Sequence, residues 1–176
     1  MKKVIMGIGI PGSGKTTVLK EFARKNGYVY ICPDDIRNNL TGNTEDQSKN
    51  RDVWGEAYMK VKKSLAEGDS VVFDATFTNQ KQRKDFISFA RQSGSEKIQG
   101  IYLDVDLEVA KKRNSLRERK VPESVLGRMN AGLKKFPPEI EDGFDLLVNL
   151  NEEQKLIDAE LVYENNIIHK SFEKLI

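Results

Sequence analysis

The octapeptide Gly9-Ile10-Pro11-Gly12-Ser13-Gly14-Lys15-Thr16 constrains this chain more than any other stretch. It fits the spacing G-x-x-x-x-G-K-[ST], follows the apolar, β-branched run Lys2 to Ile8, and opens a helical pattern from Lys15 to about Lys25. Strand, glycine turn and helix in that order are the context the spacing requires. Glycines let backbone N–H groups turn inward around phosphate oxygens, and the helix behind them presents its positive end. Lys15 is then placed to bridge the outer phosphates of a nucleotide and the Thr16 hydroxyl to ligate Mg²⁺, with Gly12, Ser13, Gly14 and Thr17 completing the cradle.

Strands and helices alternate along the rest of the chain. Tyr28 to Cys32 is β-rich and stopped by Pro33, and Asp34 is placed to cap a short helix through Leu40. Val53, Trp54, Ala57, Val61 and Leu65 recur at helical spacing between Arg51 and Ala66. Ser70 to Phe73 predicts a third strand, Asn79 to Ser93 a helix, and Lys97 to Val105 a fourth strand. Asp106 is placed to cap a basic helix running to about Arg119, Pro122 to open another to about Lys135, and Phe144 to Leu150 to form a fifth strand. Beyond that, Glu152 to Glu160 has a helical look, whereas Leu161 to Ile168 fits a hairpin about Asn165-Asn166. The pattern predicts a single α/β domain over residues 1–176, with a parallel sheet of about five strands flanked by helices and a helical lid at about 106–135. The role of 151–176 is not assigned by the sequence. Ligands of such sheets sit at the carboxyl ends of the strands.

Three further clusters fall at those ends. Asp34 and Arg37 follow the second strand, where a carboxylate can take a proton from an attacking hydroxyl and an arginine one turn on can hold a phosphate. Asp74 ends the third strand, where an acid can hold Mg²⁺ or its water shell, or orient an acceptor. Each has a plainer reading, as a helix cap with a solvated arginine and as a turn residue. Arg113 and Arg117, four apart in a basic run, are expected on one helical face above bound nucleotide. Cys32 and His169 have no companions at ligand spacing and read as a buried thiol and a surface or packing residue; Trp54 reads as core.

The ordered set resembles the kinase domain of the phage-type polynucleotide 5′-kinases, a P-loop phosphotransferase family. The resemblance covers roughly residues 1–135 and rests on the glycine loop, Asp34-Asp35-x-Arg37, the strand ending in Asp74, Lys112-Arg113-Asn114-Ser115-x-Arg117 and Val121-Pro122-x-x-Val125-Leu126. It implies transfer of the γ-phosphoryl group of ATP to the 5′-OH end of DNA or RNA. By the same resemblance Asp34 is the general base, Arg37 grips the acceptor's phosphate and Arg117 is the lid arginine on the donor phosphates. Bifunctional relatives add a phosphatase domain built on Asp-x-Asp-Gly-Thr; Asp104-Val105-Asp106 only partly echoes it, so no phosphatase activity is expected. A small-molecule kinase of the same architecture, for a nucleoside, sugar or antibiotic, shares the donor half and differs in the acceptor half. A non-enzymatic nucleotide switch needs neither Asp34 nor Arg37.

Charge sets the expected footprint. Lys and Arg number 29 against 27 Asp and Glu, a net charge of +2, so the chain lacks the basic excess of proteins that coat nucleic acid. An enzyme that handles only a terminal nucleotide needs few arginines, and Arg37, Arg113 and Arg117 suffice, which predicts a modest salt dependence. With one cysteine and no long apolar stretch, a cytoplasmic protein without membrane contact is expected.

Overall fold

The computed structural model describes residues 1–163 and 166–171. A sheet of order β2 (Val29–Ile31), β3 (Val71–Asp74), β1 (Lys3–Ile8), β4 (Lys97–Leu103), β5 (Leu146–Leu150), β6 (Leu156–Tyr163) and β7 (Asn166–Ser171) forms its centre. The first five strands in that order pair in parallel. β1 lies in the middle of these five, between β3 and β4, and its continuous apolar run is buried on both faces, as a strand covered by helices must be. Helices α1 (Lys15–Asn26), α2 (Pro33–Thr41), α3 (Asn50–Glu67), α4 (Gln80–Gln92), α5 (Leu107–Ser115) and α6 (Glu123–Lys135) supply that cover and the lid. Phe73 joins β3 to them through a cluster of rings from Trp54, Tyr58, Phe77 and Phe86.

The α/β expectation with its five-stranded parallel sheet holds, and the differences lie at its edges. Residues from Leu156 are strand, not helix: β6 (Leu156–Tyr163) pairs antiparallel with β5, and β7 (Asn166–Ser171) with β6. The open edge of β5 offers backbone hydrogen bonds that outweigh the helical leaning of Glu152 to Glu160. The hairpin expectation fits this pairing, but Asn165 lies outside the described residues, as does the side chain of His169.

Two helix ends also differ. α2 starts one residue early because Pro33, with no N–H to satisfy, takes its first position; the N-cap is Cys32 and Asp34 sits inside the first turn. Its carboxylate therefore does not cap the helix. α5 stops at Ser115, so Arg113 and Arg117 do not share a helical face. The cause is Asn114, buried at the end of α5, whose amide donates to Val121 O (2.8 Å) and accepts from Val121 N (3.1 Å). This two-way bond draws the chain into a loop over 116–122 before α6.

Candidate active site

Gly12 and Gly14 shape the phosphate loop between β1 and α1. Both hold left-handed backbone, φ 86° and 91°, which side chains resist. A β-carbon on Gly12 would also lie 2.3 Å from the Ala110 carbonyl oxygen of the lid, so the two segments touch backbone to backbone. Gly9 N donates to Thr76 O (3.0 Å), which ties the loop to the segment after β3. Ser13 Oγ is buried without a partner among the described residues, an orphan that a bound oxyanion satisfies.

Asp74 organises the floor. It is buried, with Oδ1 2.7 Å from Lys15 Nζ and Oδ2 accepting from Thr16 Oγ1 (2.7 Å) and Tyr30 OH (2.6 Å). Burial pushes its carboxyl up, but the Lys15 charge and the bonds from Lys15, Tyr30 and Thr16 together hold it below its ordinary range. The same contact works oppositely on Tyr30: burial, then the Asp74 charge and hydrogen bond, drive the phenol far above its usual value, so it remains a donor. Burial likewise raises the Cys32 thiol, which stays protonated.

The Thr16 hydroxyl spends its proton on Asp74 and keeps its lone pairs, as a ligand for a cation must. No cluster of three His, Cys, Asp or Glu suited to a metal exists among the described residues. Thr16 and Asp74 are the side chains that could hold Mg²⁺ together with phosphate and water, the common arrangement for this ion.

Across the opening, α2 presents Asp34 and Arg37. Asp34 Oδ1 accepts from Arg37 Nη1, its Oδ2 lies 3.0 Å from Arg119 Nη1, and Arg37 Nη2 donates to Asn50 Oδ1 (3.0 Å). Arg37 is only 5% exposed, and its Nε is buried with no partner among the described residues. The lid contributes Arg113, which donates to Ser13 O (3.4 Å) and Glu152 O (2.8 Å), and the exposed Arg117.

A cleft of about 990 Å³ joins these groups. Gly12, Ser13, Gly14, Lys15, Thr16, Thr17, Asp34, Arg37, Asp74, Arg113 and Arg117 all line it, so the candidate donor and acceptor residues meet in one place. Trp54 lines it too, while packing on Phe73 behind. Tyr30, Asn50 and Arg119 were not distinguished by the sequence. Tyr30 reaches Asp74 because β2 lies beside β3, and strand order carries no local signal. Arg119 lay within the basic run, but its partner is 85 positions away.

The chemistry available is that of phosphoryl transfer: a cationic, glycine-lined donor cradle faces a carboxylate and a buried guanidinium. Residues 4–136 match the model of the AAA domain family. A protein of Acanthamoeba polyphaga mimivirus named as a bifunctional polynucleotide phosphatase/kinase is 28% identical over 82% of this chain and 32% of its own length. The L-seryl-tRNA(Sec) kinase of Methanococcus maripaludis is 28% identical over 72% of this chain and 50% of its own. A chain of the solved Pnkp1/Rnl/Hen1 RNA repair complex superposes with a TM-score of 0.69 at 21% identity, covering 76% of this chain and 44% of that one, a likeness of fold. The chain thus spans half the length or less of these relatives. No helix among the described residues is long and apolar enough to cross a membrane. The chain belongs to the AAA domain family.

Proposed function

We propose that this kinase transfers the γ-phosphoryl group of ATP to the 5′-hydroxyl end of DNA or RNA, as a step in nucleic-acid end repair. The observation that carries the reading is the Asp34–Arg37 pair, which lines the cleft that Lys15 and Thr16 also line and leaves a buried guanidinium nitrogen unpartnered. A bound phosphodiester next to the acceptor hydroxyl supplies the oxygen that nitrogen lacks. The name of the mimivirus relative points the same way.

In the proposed reaction Asp34 accepts the proton of the acceptor hydroxyl as that oxygen bonds to the γ-phosphorus in line. The bond from phosphorus to the β,γ-bridging oxygen breaks, and ADP leaves. Lys15 moves from Asp74 to the donor phosphates, where it and Arg117 offset the charge spread over the transferring group. Arg113, anchored on the phosphate loop and the turn after β5, closes the donor side. Thr16 and Asp74 would hold Mg²⁺, which would supply further charge neutralisation when bound.

The test uses γ-labelled ATP with 5′-OH DNA and RNA oligonucleotides, comparing wild type with Asp34→Asn. Label on the strand, reduced about 10²- to 10⁴-fold by the substitution, is the expected result. Absence of label on any 5′-OH strand overturns the acceptor, and an unimpaired Asp34→Asn enzyme overturns the base. Transfer only to a free nucleoside, sugar or antibiotic moves the chain to the small-molecule kinases. Acceptor affinity falling steeply with salt contradicts the short footprint.

A further inference from the structure

Arg119 reaches Asp34 from the lid, although the roles carried by the resemblance leave it without a function. Its Nη1 lies 3.0 Å from Asp34 Oδ2, while Arg37 occupies Oδ1, so both oxygens of the carboxylate face a guanidinium. Arg117, two residues earlier, makes no side-chain ion pair among the described residues. The loop that delivers Arg119 is pinned just beyond it, where Asn114 binds both polar backbone groups of Val121. Its base is thus fixed, and only the long side chain needs to swing.

We propose that Arg119 is a second ligand for the acceptor's phosphate, parked on Asp34 until that phosphate arrives. The inference rests on the reading of Asp34 and Arg37 as the acceptor half of the site. Two guanidinium groups on one carboxylate leave a positive excess beside the cleft, which an anionic acceptor neutralises. The Asp34–Arg119 pair is half in solvent, with side chains 51% and 30% exposed, and such pairs exchange readily. Guanidinium matches phosphate as well as carboxylate, so an incoming phosphate competes directly for Arg119 and frees Asp34 Oδ2 for the hydroxyl proton. An acceptor without phosphate, water included, has nothing to draw Arg119 away. The contact therefore ties release of the base to the substrate class and suppresses idle hydrolysis of ATP.

The experiment compares wild type, Arg119→Ala and Arg119→Lys in two reactions: transfer to a nucleoside 3′-monophosphate bearing a 5′-OH, and hydrolysis of ATP without acceptor. Arg119→Ala is expected to raise the acceptor KM about tenfold or more, with kcat changed by less than about threefold, and to speed acceptor-free hydrolysis about threefold or more. Arg119→Lys recovers part of the KM because it restores the charge without the fork. An unchanged acceptor KM, or hydrolysis that falls in parallel with transfer, overturns the assignment and makes Arg119 a structural part of the lid. If wild-type enzyme phosphorylates neither the monophosphate nor a longer 5′-OH strand, the acceptor reading itself fails, an outcome told apart by the wild-type reactions alone.

Discussion

Two arginines are buried almost equally, and their surroundings separate architecture from activity. Arg83 of α4 is 0% exposed and each of its nitrogens has a partner: Nε donates to Asp142 (2.7 Å), Nη1 to Phe77 O (3.2 Å), and Nη2 to Phe136 O and Pro137 O (both 3.0 Å). It joins the turn after β3, where Phe77 adopts a left-handed φ of 45°, to the end of lid helix α6 and to the 3₁₀ turn Ile140–Asp142. Arg37 is 5% exposed, holds a half-exposed carboxylate and Asn50, and keeps one buried nitrogen without a partner. A buried polar group left unsatisfied costs free energy, so a fold retains one where something outside the fold completes it. Arg83 completes the protein, whereas Arg37 keeps a buried nitrogen that the fold does not satisfy.

Replacing each arginine with methionine tests the contrast. Arg83→Met leaves the fully buried Asp142 with only Gln80 and the more distant Lys84, and is expected to destabilise the fold by about 3–5 kcal/mol, read as a loss of Tm. Arg37→Met removes the orphan nitrogen and leaves Asp34, half-exposed, with Arg119 alone. Its stability should stay within about 1 kcal/mol of wild type, or rise, while kcat/KM for a 5′-OH strand falls about 10- to 100-fold. An Arg37→Met protein that unfolds as readily as Arg83→Met would erase the distinction.

The smallest effect concerns the donor floor. Because Asp74 titrates below its ordinary 3.8 in the folded protein, it stabilises the fold fully above that pH, and the contribution disappears as pH falls through the folded value. The stability difference between wild type and Asp74→Asn should therefore stay constant from neutrality to about pH 4 and shrink below it. A difference that instead begins to shrink near neutrality contradicts the Lys15–Asp74 pairing.

Legibility followed the range of the interactions. The glycine loop, the Asp34–Arg37 spacing and the acid ending β3 were readable because each is a local pattern with a backbone reason. Asp34 as a cap and the long α5 were misjudged for the same cause: each is a local preference, overridden by Pro33 in one case and by the Asn114–Val121 bond in the other. The helical leaning of Glu152 to Glu160 yielded to the vacant edge of β5. Arg83 was read only as part of a helix, since nothing near it in the chain announces Asp142, 59 positions on.

The sequence by itself determined the donor half, because a loop that binds phosphate through its own N–H groups needs only consecutive residues in the right order. Tertiary structure alone decided what stands opposite it. Strand order set Tyr30 against Asp74, and the folding back of the lid set Arg119 against Asp34, since side chains this far apart in the chain meet only after the sheet and its helices have packed.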